Sequence, residues 1–388
     1  MKDIQLSKFL FDGLTPHQVA NLNSLDKMDR DRLLMAGVDP NETTRSATLL
    51  HMDHSGVYCQ NNEPGLEIMH MNDALEKYNG LPEYFWKLAA KDQDEYTDLA
   101  ATTLQGGYFV RVDQGVIVQQ PVQSCLFMKA ERVGQSVHNL VIIEENAEVH
   151  IITGCATSRS TQHGIHIGIS EYFVKKGGKL SLTMIHNWGE NVDVRPRSVG
   201  VVEEGGTFIS NYILLNPVRS LHMYPSLHLN GRGAKCRFNS VTIAPTGSFI
   251  DSGNRVIMNA PETRAEILSR AITTGGTIIA RGMIQANAVP GRGHLECKGL
   301  IMGNGIIHAI PELEGRTEGI ELSHEAAVGK IAQEEIEYLM ARGLDEEEAT
   351  STIVRGFLNV DIMGLPERLK QSLDEMMEEL QLHKESAA

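Results

Sequence analysis

The residues best suited to chemistry lie close together between Cys297 and Lys330, in the stretch CKGLIMGNGIIHAIPELEGRTEGIELSHEAAVGK. It holds one cysteine, two histidines (His308 and His324) and several carboxylates, Glu312 and Glu325 among them. A soft thiolate with imidazole and carboxylate nearby can hold iron, zinc or a nascent iron–sulfur unit. Each residue also has a plainer role. Cys297 can be a small buried hydrophobe, His324 a satisfied core histidine, and Glu325 a carboxylate that favours a following helix N-terminus.

These residues sit where one texture gives way to another. From about Gly106 to Glu321 the chain is a succession of short β-branched runs broken by Gly, Asn and Pro, such as Asn139–Ile143, Val149–Ile152, Cys236–Ile243 and Gly276–Ile279. The length of the region and the small-residue turn before each run favour a coil-stacked solenoid over a sandwich. Such a solenoid leaves its end strands unpaired, so both ends need covering. The expected division is an N-terminal, mostly helical part over residues 1–100, a β-helix core over 101–322 and a C-terminal helical part over 323–388.

In the first part, Thr15-Pro16-His17-Gln18 reads as a helix start, Leu81–Leu88 continues into an acidic helix near Asp92–Leu99, and Ser46–Tyr58 and Leu66–His70 read as strands. In the tail, Ile336, Leu339 and Met340 keep helical spacing up to a stop at Gly343, and Asp345–Glu348 has the form of a capping box. Ala349, Ile353 and Phe357 form the next apolar stripe, and Leu365, Leu369, Leu373, Met376 and Leu380 the last.

Composition excludes several classes of function. With 35 Lys+Arg against 50 Asp+Glu the formal charge is -15, which opposes a phosphate backbone and leaves no electrostatic basis for general nucleic-acid binding. The start, MKDIQLSKFLFDGLTPHQ, has no apolar core before a small-residue cleavage site, and no apolar run is long enough to span a bilayer, so the expected location is the cytoplasm. The five cysteines (Cys59, Cys125, Cys155, Cys236, Cys297) are far apart and odd in number with no CxxC, which argues against a disulfide framework or zinc knuckle. Gly177-Gly178-Lys179-Leu180 and Gly329-Lys330-Ile331 lack the rest of a phosphate-binding P-loop, so no ATP site is expected in this chain. No GxGxxG, Gly-x-Ser-x-Gly or HExxH is present.

Three further stretches carry a resemblance. Val141–His150 followed by Gly154-Cys155-Ala156, the run Tyr172–Trp188 ending in His186-Asn187-Trp188, and Glu334–Leu344 occur in one consistent order with Cys297 and Leu322–Lys330. Over roughly residues 80 to 380 the chain resembles the SufB/SufD family of the SUF iron–sulfur assembly system. The resemblance implies a mainly β protein, a right-handed parallel β-helix flanked by helical parts. It implies a non-catalytic scaffold on which a cluster forms transiently, with ATP hydrolysis in a SufC-like ABC-type ATPase docked on the tail from about Ile331 to Leu382. It also implies a homodimer, or a heterodimer with a SufB/SufD homologue, joined near Cys297. Cys297 then takes the position of the cluster-building cysteine, with His324 and Glu325 as the downstream ligands and His308 as a further candidate; Cys155 is expected to pack. Ser323 before the histidine departs from the SufB type and Glu325 after it from the SufD type, so the chain is intermediate between them.

Two other β-helix activities fit less well. A carbohydrate-active enzyme needs an aromatic-lined groove and usually a secretion signal, against 5% aromatics and two tryptophans here. A β-helix acyltransferase needs a regular hexapeptide period, which is absent.

Overall fold

The computed structural model describes residues 4–14 and 18–358. The expected helix start at Thr15–His17 and the last apolar stripe, Leu365 to Leu380, lie outside them.

The chain winds into a parallel β-solenoid of about eight turns, with helices towards both termini. Each turn contributes strands to two sheets. One is ten-stranded and runs from Ser55–Asn61 and Ala47–Met52 to Gly291–Ile301 and Glu321–Gly329; the other is eleven-stranded and reaches Ile306–Gly315. Every named pairing is parallel except two near the N-terminus, Ala47–Met52 with Ser55–Asn61 and Leu66–His70 with Tyr108–Val112. Inward positions stack into one core that includes Leu126, Cys155, Leu182, Phe238, Ile267, Leu295 and Cys297.

Successive turns are held in register from outside as well as within. Asn287 donates to Asn259 Oδ1 at 2.7 Å, and Asn259 to Asn230 Oδ1 at 2.8 Å, across separations of 28 and 29 residues. At one corner Asn146, Gly177, Gly205 and Gly233 all take positive φ, between 56° and 71°. The amide of each of the four donates to a carbonyl of the next turn, as Gly177 N does to Glu204 O at 2.8 Å. Glycine occupies three of these places because a Cβ strains that conformation.

Among the described residues five α-helices dress the solenoid: α1 (Lys27–Met35), α2 (Met71–Lys77), α3 (Glu95–Thr102), α4 (Gln333–Met340) and α5 (Glu346–Leu358). Asp94 and Thr97 close a capping box on α3, and Asp345 with Glu348 closes one on α5 at 2.8 and 3.1 Å, as the sequence indicates. Leu33 and Ala36 pack on the ten-stranded sheet with Phe127 and Leu50, while Val354 and Phe357 of α5 cover Ile243, Ile272 and Leu300 further along it.

The strands expected at Ser46–Tyr58 and Leu66–His70 are present as Ala47–Met52, Ser55–Asn61 and Leu66–His70, and the first pairs directly with Val122–Met128 of the solenoid. The expected edge at 322 falls inside the strand Glu321–Gly329, because Ala326–Gly329 continues the ladder against Cys297–Leu300. Leu81–Leu88 is a series of turns rather than a helix. Its amides are committed elsewhere: the buried Glu171 carboxylate accepts from Trp86, Leu88 and Ala89 at 2.6, 2.5 and 3.0 Å and meets His138 Nε2 at 2.8 Å. Burial opposes charge on Glu171, yet the His138 ring and these amides hold its carboxyl below the ordinary range.

Several histidines sit in the solenoid interior as neutral rings. Burial drives His51 and His166 to about 3 and takes His186 well below its ordinary value. His166 Nδ1 lies 2.9 Å from Gln135 Oε1, and His186 Nδ1 2.9 Å from Tyr212 Oη. The unfolded chain protonates such rings near pH 6.5, whereas the folded chain resists until far lower. Stability is therefore complete above that pH and lost as pH falls towards 3, by up to about 1.4 kcal/mol per pH unit for each ring. The urea midpoint is expected to fall between pH 7 and pH 5, before carboxylates titrate; a midpoint constant over that range contradicts this account.

Candidate functional site

Cys297 lies in the strand Gly291–Ile301, with Ser269 as its ladder partner one turn earlier and Ala326 one turn later. Strand alternation sends Leu295 and Cys297 inward and His294, Glu296 and Lys298 outward. Cys297 is 2% exposed, and burial, aided by the neighbouring Glu296 charge, pushes its thiol up to about 11. At neutral pH the sulfur therefore carries its proton, and a bound metal would have to displace it.

The next strand, Glu321–Gly329, is the last turn of the solenoid. Parallel partners point the same way, so Leu322, His324, Ala326 and Val328 occupy the inward side, in register with Gly293, Leu295, Cys297 and Gly299. Among the described residues no further turn covers them, and His324 and Ala326 are exposed. Cys297 is thus one layer below an open end, roofed by the methyl group of Ala326. His324 lies on the same inner side, one turn on and two residues along, which strand geometry places about 8 Å from Cys297.

Glu325 and His308 are placed differently. Glu325 is in register with Glu296 on the outer side and pairs with Lys298 at 3.4 Å; Lys298 in turn meets Glu296 at 2.9 Å. His308 is in register with Ile279 in the other sheet, on its outer side, and Glu312 with Met283. A single residue's parity decides each case, and proximity in sequence did not reveal it. The structure therefore brings Cys297 and His324 together on one face of the end turn and turns Glu325 and His308 away from it. Among the described residues no group of three or more His, Cys, Asp and Glu is arranged to hold a metal ion.

Comparison with known proteins agrees with this architecture. Residues 126–357 match the family model for the core domain of SUF-system FeS cluster assembly SufBD proteins. The chain is 49% identical to an iron-sulfur cluster assembly SufBD family protein of Archaeoglobus fulgidus, over 90% of this chain and 95% of the relative. The chain belongs to the SufB/SufD family. A second family member, from Methanothermobacter thermautotrophicus, is 44% identical over 97% of this chain and 94% of its own length. The SufB protein of Bacillus subtilis is 34% identical over 78% of this chain and 66% of its own. The family works in iron–sulfur cluster assembly. No described helix is long and apolar enough to cross a membrane.

The remaining cysteines are all free thiols, with Cys125, Cys155 and Cys236 buried and Cys59 exposed. Cys155 is in the core, 1% exposed, and burial takes its thiol well above the ordinary range.

The burial of Cys297 has a direct chemical consequence. In the isolated chain at pH 8, alkylation of Cys297 by iodoacetamide, mapped by mass spectrometry, is expected to be at least about 100-fold slower than that of a free thiol, because both thiolate fraction and access are reduced. Labelling as fast as a small-molecule thiol contradicts the placement under Ala326.

Proposed function

We propose that this chain is the scaffold subunit of a SUF-type assembly complex, building a transient iron–sulfur cluster at the open end of its solenoid. The cluster is cargo rather than a resident cofactor, and the chain itself catalyses no reaction; a SufC-like ABC-type ATPase supplies the hydrolysis. One observation carries this reading: the thiol of Cys297 and the ring of His324 share the inner face of a solenoid end that no further turn covers among the described residues. A thiolate and an imidazole are ligands iron accepts, but two are fewer than a tetrahedral iron needs. The rest must come from inorganic sulfide, solvent or a second chain.

The uncovered end favours a second chain. Ile307, Ala309, Leu313, Ile320 and Leu322 form a half-covered apolar layer there, and Ile306 and Val328 are 50% and 40% exposed. Exposed strand edges with an apolar layer are surfaces that proteins cover. A homodimer, or a heterodimer with a SufB/SufD homologue, joined end to end covers it and doubles the ligands. The tail from about Ile331 is the proposed ATPase dock; α4 presents Tyr338 and Met340 at 57% and 40% exposure. A cytoplasmic setting, where the thiols stay reduced, fits this reading.

The geometry ranks the ligands. Anaerobic reconstitution with ferrous iron and sulfide, in the presence of the ATPase, is expected to lose most bound iron and charge-transfer absorption in Cys297→Ser and about half in His324→Ala. Glu325→Ala is expected to stay close to wild type, because that carboxylate faces the other side. If Cys297→Ser holds as much cluster as wild type, the cysteine is a packing residue. If chain lacking the residues after Ile331 still co-purifies with the ATPase in full ratio, the tail is not the dock.

A further inference from the structure

A second feature lies far along the chain from the end turn. Beside residues 4–9 of the N-terminal segment lies a cleft of about 880 Å³. That volume suits a small molecule. One side is the N-terminal segment itself, with Gln5, Lys8 and Phe9; the floor and far side are Asp193, Arg219, Ser220 and Phe249, and Arg132 stands at the mouth.

The charge in this cleft is unlike the rest of the molecule. Lys8, Arg132 and Arg219 line it in a chain whose formal charge is -15. Its one lining carboxylate, Asp193, is already engaged: Arg219 Nε donates to it at 3.0 Å and the Ser220 hydroxyl at 2.5 Å. Lys8 and Arg132, in contrast, make no ion pair or side-chain hydrogen bond with any described residue, and both are exposed. Arg132 holds a left-handed backbone, φ 56°, fixed by amide and carbonyl bonds to His163 and Leu10. Arg219, half-exposed and paired with Asp193, has further N–H groups that can face an incoming anion. Phe9 and Phe249 add flat apolar walls, which favour a ring over a bare ion.

We propose that this cleft binds a phosphorylated ligand with a flat ring, of the mononucleotide class, its phosphate facing Lys8, Arg132 and Arg219 and its ring against Phe9 and Phe249. The site is independent of the cluster chemistry at Cys297 and stands or falls separately from it. It is also unlike a P-loop: side chains from the N-terminal segment and from two turns between strands, rather than backbone amides, meet the phosphate.

The test is isothermal titration of the full chain, free of ATPase, with adenosine diphosphate, adenosine and inorganic pyrophosphate in turn. Adenosine diphosphate is expected to bind, and the other two to bind at least about tenfold more weakly, since each lacks half of the recognised chemistry. Arg132→Gln and Lys8→Gln, both exposed and so expected to fold, should each weaken binding about tenfold, while Arg264→Gln on the other sheet leaves it unchanged. Absence of binding at millimolar nucleotide overturns the proposal. So does pyrophosphate binding as tightly as the nucleotide, or Arg132→Gln and Arg264→Gln binding equally well.

Discussion

The hydrogen-bond ladder between successive turns decides almost everything else in this molecule. Each strand lies parallel on the one before it in a fixed register, so a residue inherits its facing from its partner a turn earlier. A slip of one residue would exchange every inward and outward side chain of that turn. The corner that repeats a left-handed residue at Asn146, Gly177, Gly205 and Gly233, with amides bonded to the following turn, resists such a slip. The asparagine stack from Asn230 to Asn287 resists it at another corner. Cys297 faces inward because Ile267 and Leu295 do, and Glu325 faces outward because Glu296 does.

The same ladder explains which parts of the fold were legible. Short β-branched runs with small residues between them announce a solenoid, and the capping box at Asp345 announces α5, since both signals are local. The spacing of 28 to 31 residues between stacked polar partners, seen in Asn239 with Asn211 and Lys179 with Glu148, is also present in the sequence. It varies by a few residues, so a search for a strict period passes over it. Leu81–Leu88 could not be read locally at all. It reads as leading into the helix near Asp92–Leu99, but the partners that hold it as turns, Glu171 and His138, are far away in the chain.

The site was legible in kind but not in arrangement. Cysteine, histidine and glutamate within about thirty residues indicated metal chemistry, and the family resemblance drew attention to the strand that holds Cys297. What the sequence withheld was parity. His324 and Glu325 are adjacent, yet one shares the interior with Cys297 and the other joins an ion ladder with Lys298 on the outside. Only the register with the previous strand separates them. The protonated state of Cys297 was also hidden, because it follows from how the turns stack and not from the residues beside it.

The end of the solenoid joins these observations. A stacked fold has no natural stopping point, since the last turn always exposes one layer of core and one row of unpaired backbone. Near the N-terminus two antiparallel pairings and several packed helices soften that edge. At Glu321–Gly329 nothing comparable covers the edge among the described residues, and the inward row there carries His324 and Ala326 where the preceding turn carries Leu295 and Cys297. A core position filled by an exposed histidine is costly for a chain that ends there and useful for one that continues across an interface. If two such ends meet face to face, each Ala326 roof lies against the partner, and Cys297 becomes interior to the pair while remaining one layer from the seam.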